Sequence, residues 1–470
     1  MTHSTDHADL TALVRSGRVL VAGAGVSGAG AVKMLADLGC PEIYLVDDSE
    51  QRGTELATAH GIQWSDTNTA QELLADAAAV VTSPGWPPSA PLFAAAAAAG
   101  VPVVGDVAIA YAGDRSGVWG EPRTWLVVTG TNGKTTTTAM LAAMIGDRGS
   151  AVGNIGVALH DALSAPERIE VLAAELSSFQ LHWAPNLKPD AGVLLNLAED
   201  HIDWHGSYQN YAEDKARALT GSIAVYGADD DDVVKHVARL RASGELGATV
   251  VGFTEREPAA GDIGVVDGYI VDRAFSDGEK IAPIDGISPP GRAGVLDALA
   301  ATSLARAIGV PASDIAAALA VFTVNAHRGQ EVHNARGVSW IDDSKATNPH
   351  AANAALSGHD SVVWVAGGQL KGADVGELVE KHAHRFRAVV ALGVDAQIIA
   401  DAVKAIDAAI PVTLISEKDP AVAMQQSCAA AAAAAHSGDV VLLAPAAASL
   451  DMYTGMAQRG DMFAQYARET

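Results

Sequence analysis

The residues Gly130-Thr131-Asn132-Gly133-Lys134-Thr135-Thr136 have the types and spacing to hold phosphate. An apolar run, Trp125 to Val128, feeds a glycine turn. The turn opens into Thr135 to Ile145, whose apolar residues recur at helical spacing. In that strand–turn–helix order the backbone N–H groups of the turn point at an anion, and the helix dipole favours negative charge there. Lys134 would reach the β- and γ-phosphates of a nucleotide, and the Thr135 hydroxyl would sit on Mg²⁺. The longer P-loop pattern asks for glycine where this chain has Val128, so a shorter form is present. The plainer reading is a Thr-rich turn that caps a helix, but lysine directly after turn glycines is an odd choice for a cap.

Further groups stand at the ends of neighbouring apolar runs. Val171 to Ala174 reads as a strand that delivers Glu175, followed by Leu176-Ser177-Ser178-Phe179-Gln180-Leu181. A carboxylate at a strand end beside a phosphate turn is placed to bind Mg²⁺ directly or through water. Gly192 to Leu195 leads into Asn196 and then Glu199-Asp200-His201-Ile202-Asp203-Trp204-His205, five titratable groups within seven residues. Such a cluster marks a candidate site, although His201 alone would also suit a hydrogen-bonded core position. Val152-Gly153-Asn154-Ile155-Gly156 is a second glycine-rich turn. Lys215, on the helical stretch Asn210 to Leu219, reads locally as a solvated charge.

Near the N-terminus, Arg18 to Ala22 runs into Gly23-Ala24-Gly25-Val26-Ser27-Gly28 and a helical stretch to Leu38. A second strand, Ile43 to Val46, ends in Asp47-Asp48, about twenty residues past the third glycine as in dinucleotide-type fingerprints. The pattern predicts a nucleotide-bearing ligand, the alternative being a tight strand–helix crossing that binds nothing. Ala79 to Thr82 ends in Ser83-Pro84-Gly85-Trp86-Pro87-Pro88, either a ligand loop at a strand's carboxyl end or a plain rigid turn. Towards the C-terminus, after His327-Arg328, three more strands end in polar loops. These are Asp342-Asp343-Ser344-Lys345-Ala346-Thr347-Asn348-Pro349, Gly367-Gly368-Gln369-Leu370-Lys371, and Ala444-Pro445-Ala446-Ala447-Ala448-Ser449-Leu450-Asp451. A helical pattern follows each strand, so a parallel α/β sheet is expected there, with polar loops lining one crevice. Their lysines and hydroxyls suit a carboxylate-bearing substrate and phosphate charge.

The elements that position these groups define an α/β protein of three domains. At ~150 residues per domain, the 470 residues fit that number. Residues 1–112 form a Rossmann-like nucleotide domain, residues 113–325 a central P-loop-type ATPase domain with a mostly parallel sheet, and residues 326–470 a C-terminal Rossmann-like domain. Gly113 to Glu121 reads as a linker. The Ala-rich runs Ala94 to Ala99 and Ala429 to Ala435 read as buried helices, and Arg241 to Ile284 as short strands and turns without a legible role. The net charge of -25 repels nucleic acid and anionic membranes. Two cysteines, Cys40 and Cys428, make no disulfide framework and fit a reducing, cytoplasmic setting. Met1 to Leu10 lacks the apolar core of a signal peptide, and no apolar run approaches the ~18 residues of a membrane span.

Taken together, these motifs resemble the Mur ligase family of peptidoglycan synthesis. Gly130 to Thr136, Glu175 to Leu181, Asn196 with Glu199-Asp200-His201-Ile202-Asp203, His327-Arg328 and Asp342 to Pro349 follow in family order along the whole chain. The run Asp343-Ser344-Lys345-Ala346-Thr347-Asn348, with Asp451 and Arg459-Gly460, is similar to the D-glutamate-adding branch. The resemblance implies an ATP-dependent amide ligase that adds D-glutamate to UDP-N-acetylmuramoyl-L-alanine through an acyl phosphate. By resemblance, ATP is held by Gly130, Thr131, Asn132, Gly133, Lys134, Thr135, Thr136, Asp297, His327, Arg328, Asp343 and Lys345. The UDP-bearing substrate meets Gly25, Val26, Ser27, Asp47, Asp48, Ser83, Pro84, Gly85, Asn154, Ser177 and His201. D-glutamate meets Thr347, Lys371, Ser449 and Leu450. Lys134, Glu175, His201 and Lys215 serve catalysis. Two Mg²⁺ sites, or Mn²⁺ in their place, draw on Thr135, Glu175, His201 and Lys215. The resemblance turns Lys215 from a solvated charge into a carbamylated lysine. It also implies a monomer, small-molecule partners only, and domain closure on binding.

The chain departs from the family pattern in places. Gly294 and Asp297 stand where asparagines near the adenine are usual, Asp48-Ser49 where an arginine often helps grip the uracil side, and Met456 where a phenylalanine often packs on D-glutamate. The turn-rich stretch before Gly291 looks expanded. Two other classes compete: a nicotinamide-dependent oxidoreductase built on Gly23 to Asp47, and an ATP-gated regulator without ligase activity. Ligase chemistry on another Mur-type acceptor is a third option.

Overall fold

The computed structural model describes residues 7–323 and 326–470, and the domain limit expected at 325 falls on a residue outside them. By compactness the chain divides into two units, Met1–Pro283 with Asp297–Leu319, and Ile284–Leu296 with Ala320–Thr470. The first unit holds two sheets and the second holds one.

The first sheet contains β1 (Arg18–Ala22), β2 (Glu42–Val46), β3 (Gln63–Ser65), β4 (Ala77–Thr82) and β5 (Val103–Gly105), in the order β3-β2-β1-β4-β5 and parallel throughout. Val19, Leu20, Val21 and Ala22 are all fully buried, as befits a strand covered on both faces. Strand order reverses between β1 and β4, the point where open α/β sheets form their ligand crevice. Two loops meet there, with Ser83 N donating to Ala22 O at 2.8 Å. A Cβ at Gly23 would lie 2.6 Å from Ser83 Oγ, so the glycine (φ +103°) is required by close approach as well as by backbone angle.

The second sheet contains β6 (Thr124–Thr129), β7 (Gly149–Gly153), β8 (Val171–Glu175), β9 (Ala191–Leu194), β10 (Ile223–Gly227), β11 (Thr249–Phe253), β12 (Ile263–Val266), β13 (Tyr269–Asp272) and β14 (Glu279–Pro283). Its order is β14-β13-β12-β11-β10-β9-β6-β8-β7. β6 lies between β8 and β9, so the turn after β6 is flanked by Glu175 at the end of β8 and Asn196 just past β9. The stretch without a legible role becomes an antiparallel meander, β12-β13-β14, that lengthens the sheet. Fully buried Asp272 accepts from Arg306 Nε at 2.8 Å and ties the meander to the helix Arg292–Ala307.

Two expectations are corrected in this unit. The segment Gly113 to Glu121 is not a plain linker. Gly113 to Arg115 finish the buried helix Asp106–Arg115, so the limit expected after residue 112 falls inside a helix. Asp114 is fully buried and pairs with Arg123 at 2.7 Å while also accepting from Trp125 Nε1. A charged group can be buried there because every partner is supplied locally. The run Ala94 to Ala99 is helical, but only Ala96 in it is buried. Leu92, Phe93 and Ala96 carry the inner face, and Ala94 and Ala97–Ala99 face solvent.

The second unit holds β15 (Gln330–Ala335), β16 (Val338–Asp342), β17 (Val362–Gly367), β18 (Phe386–Leu392), β19 (Val412–Ile415) and β20 (Val440–Leu443), in the order β15-β16-β20-β17-β18-β19. Five strands are parallel, as expected, and β15, a strand the sequence did not show, adds an antiparallel edge. Arg336 (φ +54°) and Gly337 (φ +77°) form a two-residue turn of the kind that suits a tight hairpin. Arg-Gly is not the usual signal for it, which is why the sequence conceals the hairpin. Two hydrophobic layers, one around Trp364 and Leu442 and one around Trp340 and Phe463, cover the two faces.

Candidate active site

The glycine turn is braced by side chains and backbone from several elements. Asn132 N donates to Asn196 Oδ1 at 2.9 Å, and Asn196 Nδ2 returns a bond to Asn132 O at 3.2 Å. Thr131 Oγ1 pairs with the Tyr211 hydroxyl at 2.8 Å and accepts from Ala198 N at 3.0 Å. Gly133 (φ +82°) caps the helix Lys134–Ile145, and a Cβ there would lie 2.2 Å from Asp297 Oδ1. The same Oδ1 accepts from Thr137 Oγ1 at 3.0 Å. Asp297 therefore stands against the turn and the first helical residues. Gly294 has a packing reason of its own: a Cβ there would lie 1.8 Å from Pro289 O.

Two lysines converge on this turn. Lys134 Nζ donates to Gly130 O at 2.9 Å and Thr131 O at 2.8 Å, and Lys215 Nζ donates to Gly130 O at 2.8 Å. Lys215 is 2% exposed. Burial, and then the nearby Lys134 charge, hold its amine well below the usual lysine range, against the opposing pull of Asp200, Glu175 and Asp214. Glu175 is 1% exposed. Its Oε1 accepts from Asn154 Nδ2 at 2.9 Å, while its buried Oε2 has no hydrogen-bond partner among the described residues. A buried carboxylate oxygen without a donor is costly unless a cation completes it, so the donor set fits a divalent metal.

A cavity of about 240 Å³ gathers Lys134, Asn154, Ser177, Asp200, His201 and Lys215, with Pro84 and Gly85 from the first sheet's loop. His201 takes a left-handed backbone (φ +53°), packs its ring against Phe179 and lies 3.6 Å from Asp200. Ser177 caps the helix Ser178–His182 in a reciprocal box with Gln180, so its hydroxyl is already an acceptor. Thr135 and Thr136 are buried in the first turn of their helix.

The remaining candidates of the first unit lie away from this cavity. Gly25 caps the helix Val26–Asp37, and Val26 is 82% exposed beside it. Asp47 accepts from Ala24 N, Ser49 N and Arg52, and Asp48 accepts from Thr67, so both carboxylates brace their own turns. Ser27 hydrogen-bonds the buried Asp106, whose carboxyl desolvation pushes up to about 6 from 3.8. Above 3.8 the folded state holds this proton more tightly than the unfolded state does. Stability therefore falls as pH rises through the window from 3.8 to about 6, and the cost is complete above it. Replacing Asp106 with Asn removes a penalty of order ~3 kcal/mol, from a shift of about two units at ~1.4 kcal/mol each. Melting curves should place the Asn variant above the wild type at neutral pH and level with it near the acid limit. A difference that does not change with pH would refute this account.

In the second unit, His327 (φ +66°) pairs its Nδ1 with fully buried Asp342 at 2.6 Å. Lys345 N donates to His327 O, and Asp343 N donates to Leu443 O. Burial pushes the Asp343 carboxyl up to about 7, against the opposing pull of the Arg328 charge. Thr347, Lys371, Ser449 and Leu450 sit on the loops that follow β16, β17 and β20. Ser449 is buried and Leu450 is 66% exposed.

The chain matches three family descriptions in succession: Mur ligase MurD-like, N-terminal domain, over residues 17–105; Mur ligase middle domain, over 128–304; and Mur ligase, glutamate ligase domain, over 327–447. It is similar to the UDP-N-acetylmuramoylalanine–D-glutamate ligase of Corynebacterium efficiens, 53% identical over 99% of this chain and 98% of the relative. The enzyme of that name from Corynebacterium diphtheriae is 51% identical over 99% and 98%. This chain belongs to the Mur ligase family. In fold it is similar to a MurF ligase from Thermotoga maritima solved in complex with ADP, with a TM-score of 0.54, 18% identity, and 98% and 97% of the two chains covered. Membership at this identity over the whole chain sets aside the nicotinamide-dependent reading. No helix among the described residues is long and apolar enough to cross a membrane.

This Mur ligase also carries a network that the sequence did not reveal. Asp214 Oδ2 accepts from His182 Nδ1 at 2.8 Å and His205 Nδ1 at 3.0 Å, and His205 Nε2 lies 3.0 Å from Ser178 Oγ. Burial raises the Asp214 carboxyl, but the His182 and His205 bonds and the Arg217 charge outweigh it, and the net shift is downward. The cluster of titratable groups from Glu199 to His205 is thus split. His201 and Asp200 face the cavity, His205 turns inward to Asp214, and Asp203 faces solvent. His205 and Asp214 are nine positions apart on two helices, so only their packing could expose the pairing.

Proposed function

We propose that this chain is an ATP-dependent amide ligase that joins D-glutamate to UDP-N-acetylmuramoyl-L-alanine in the cytoplasmic synthesis of peptidoglycan precursors. One observation carries the reading: in a chain of this family, Lys134 of the glycine turn, Lys215, and Asn154, which hydrogen-bonds the buried, half-satisfied Glu175, line one cavity. The substrate's L-alanyl carboxylate oxygen attacks the γ-phosphorus, the bond to the β-phosphate oxygen breaks, and ADP leaves. The D-glutamate nitrogen then attacks the acyl carbon, the amide C–N bond forms, inorganic phosphate leaves, and the amine proton passes to solvent or a nearby base. Lys134 and the turn N–H groups from Gly130 to Thr136 hold phosphate charge through the first step.

Glu175, Thr135, His201 and Lys215 would hold Mg²⁺, or Mn²⁺ in its place, which when bound neutralises phosphate charge. We assign residues 1–112 to the UDP-bearing substrate through Gly25, Val26, Ser27, Asp47, Asp48, Ser83, Pro84 and Gly85, with Asn154, Ser177 and His201 from residues 113–325. Asp297, His327, Arg328, Asp343 and Lys345 complete the ATP set. Thr347, Lys371, Ser449 and Leu450 of residues 326–470 take D-glutamate. Lys215 is carbamylated in this proposal, and the enzyme works as a monomer.

Phosphate release from ATP and Mg²⁺ with UDP-N-acetylmuramoyl-L-alanine tests the reading. Release should require D-glutamate and fail with L-glutamate, L-alanine or diaminopimelate. Release with another amino acid would overturn the substrate, and ATP binding without release would overturn the ligase.

A further inference from the structure

All four side chains assigned above to D-glutamate stand on three loops, those that follow β16, β17 and β20. One buried side chain fastens all three. Arg459, on the helix Met456–Ala467, is 1% exposed. Its Nε donates to Ser344 Oγ at 3.0 Å and its Nη2 to Ser344 O at 2.8 Å, in the loop that carries Thr347. Its Nη1 donates to Gly367 O at 3.2 Å, four residues before Lys371, and to Ala447 O at 3.1 Å, two residues before Ser449. Ser344 Oγ in turn donates to Met456 O at 2.7 Å and so locks the first helical turn to the same loop.

The loops need such a fastening. Lys371 (φ +54°) and Ala446 (φ +57°) hold left-handed backbone without being glycine, a conformation that persists only where the surroundings impose it. The loops also bond to one another, Gln369 with Ala448 in both directions and Ala446 N with Ala346 O at 2.9 Å. A guanidinium presents five donors in a rigid planar fork, and here four of its bonds end on three separate chain segments. An ammonium could not span them. The neighbouring residue is fitted as closely: a Cβ at Gly460 would lie 2.2 Å from His327 Nδ1 and 2.6 Å from Asp342 Oδ2.

We propose that Arg459 is the positioning residue for the incoming amino acid, setting the mutual spacing of Thr347, Lys371 and Ser449. The inference rests on the assignment of those residues to D-glutamate. The residues of the same unit assigned to ATP have ties of their own, His327 to Asp342, Lys345 N to His327 O and Asp343 N to Leu443 O. Loss of Arg459 therefore acts mainly on the second half of the reaction.

The test is steady-state kinetics of Arg459→Lys, with hydroxylamine as a trap for the acyl phosphate in the absence of D-glutamate. KM for D-glutamate should rise at least about tenfold, the scale expected when binding groups lose their mutual spacing. KM for ATP and the rate of hydroxamate formation should stay within about threefold of wild type on the same argument. An equal rise in both KM values, or an unchanged KM for D-glutamate, would overturn the proposal. Should the lysine variant fail to fold, Ser344→Ala, which removes one acceptor and leaves the guanidinium in place, is read in the same way. No selective effect on D-glutamate in that variant overturns the proposal. A wild-type enzyme whose turnover does not require D-glutamate would instead overturn the underlying assignment.

Discussion

Lys134→Met should lower ligase turnover by about three orders of magnitude while leaving the protein folded, because preorganised charge on the transferring phosphoryl group is the main catalytic term. The structure explains why the fold should survive. Lys134 is the first residue of its helix, and its Nζ bonds turn carbonyls, Gly130 O and Thr131 O. The turn itself is held by Asn196, Tyr211 and Ala198, none of which touches the Lys134 side chain in those bonds. Methionine keeps the length and helix propensity of the stem and removes the charge. Turnover measured with saturating substrates, beside a melting curve and ATP titration, separates the two effects. ATP binding should weaken by about tenfold, since the backbone N–H groups remain. A fall in turnover of less than tenfold, with ATP binding intact, would show that the phosphate is held by other groups.

Lys215→Arg should cost about two to three orders of magnitude in turnover, a loss set by electrostatics at the reacting phosphate rather than by packing alone. Lys215 and Lys134 share the Gly130 carbonyl, so two lysine side chains meet on one oxygen. Burial, with the Lys134 charge second, holds the Lys215 amine well below its usual range, which favours the neutral form. A neutral amine is the form that adds CO₂ to give a carbamate. The product would put an anion beside Lys134 in place of that amine and would supply a second carboxylate near the Glu175 oxygen that has no partner among the described residues. Arginine stays cationic and cannot make that conversion. Carbamate formation needs the free amine, so it is favoured as pH rises and lost as the amine takes its proton. Wild-type enzyme held in CO₂-free buffer should lose turnover and recover it with bicarbonate, and the arginine variant should do neither. Equal response of the two proteins, or full activity in the variant, would end the carbamylation assignment.

Much of the central site was legible because its groups lie at the ends of apolar runs. The order of strand, glycine turn and helix dictates where N–H groups point, and Glu175 closes a strand whose residues are all buried. Other parts were hidden for definite reasons. The hairpin of β15 uses Arg336-Gly337 in place of a common turn pair. The supposed linker at Gly113 hides a buried ion pair, Asp114 with Arg123, whose members look like ordinary surface charges in sequence. Lys215 looked solvated for the same cause, since a charge among acids on a helix carries no local mark of burial.

The sequence by itself determined the kind of chemistry: an anion-holding turn, a strand-end carboxylate, three α/β domains and the family to which they belong. These depend on residue type and near-neighbour spacing, which the covalent chain sets directly. Tertiary structure decided which of those groups meet. β6 was inserted between β8 and β9, so Glu175 and Asn196 came to flank one turn. Lys215 reached a carbonyl 85 positions away, His205 was drawn from the cavity to Asp214, and Arg459 came to hold three loops, two of them more than 90 positions from it. Those pairings follow from strand order and the close packing of helices on sheets, which depend on the whole chain at once.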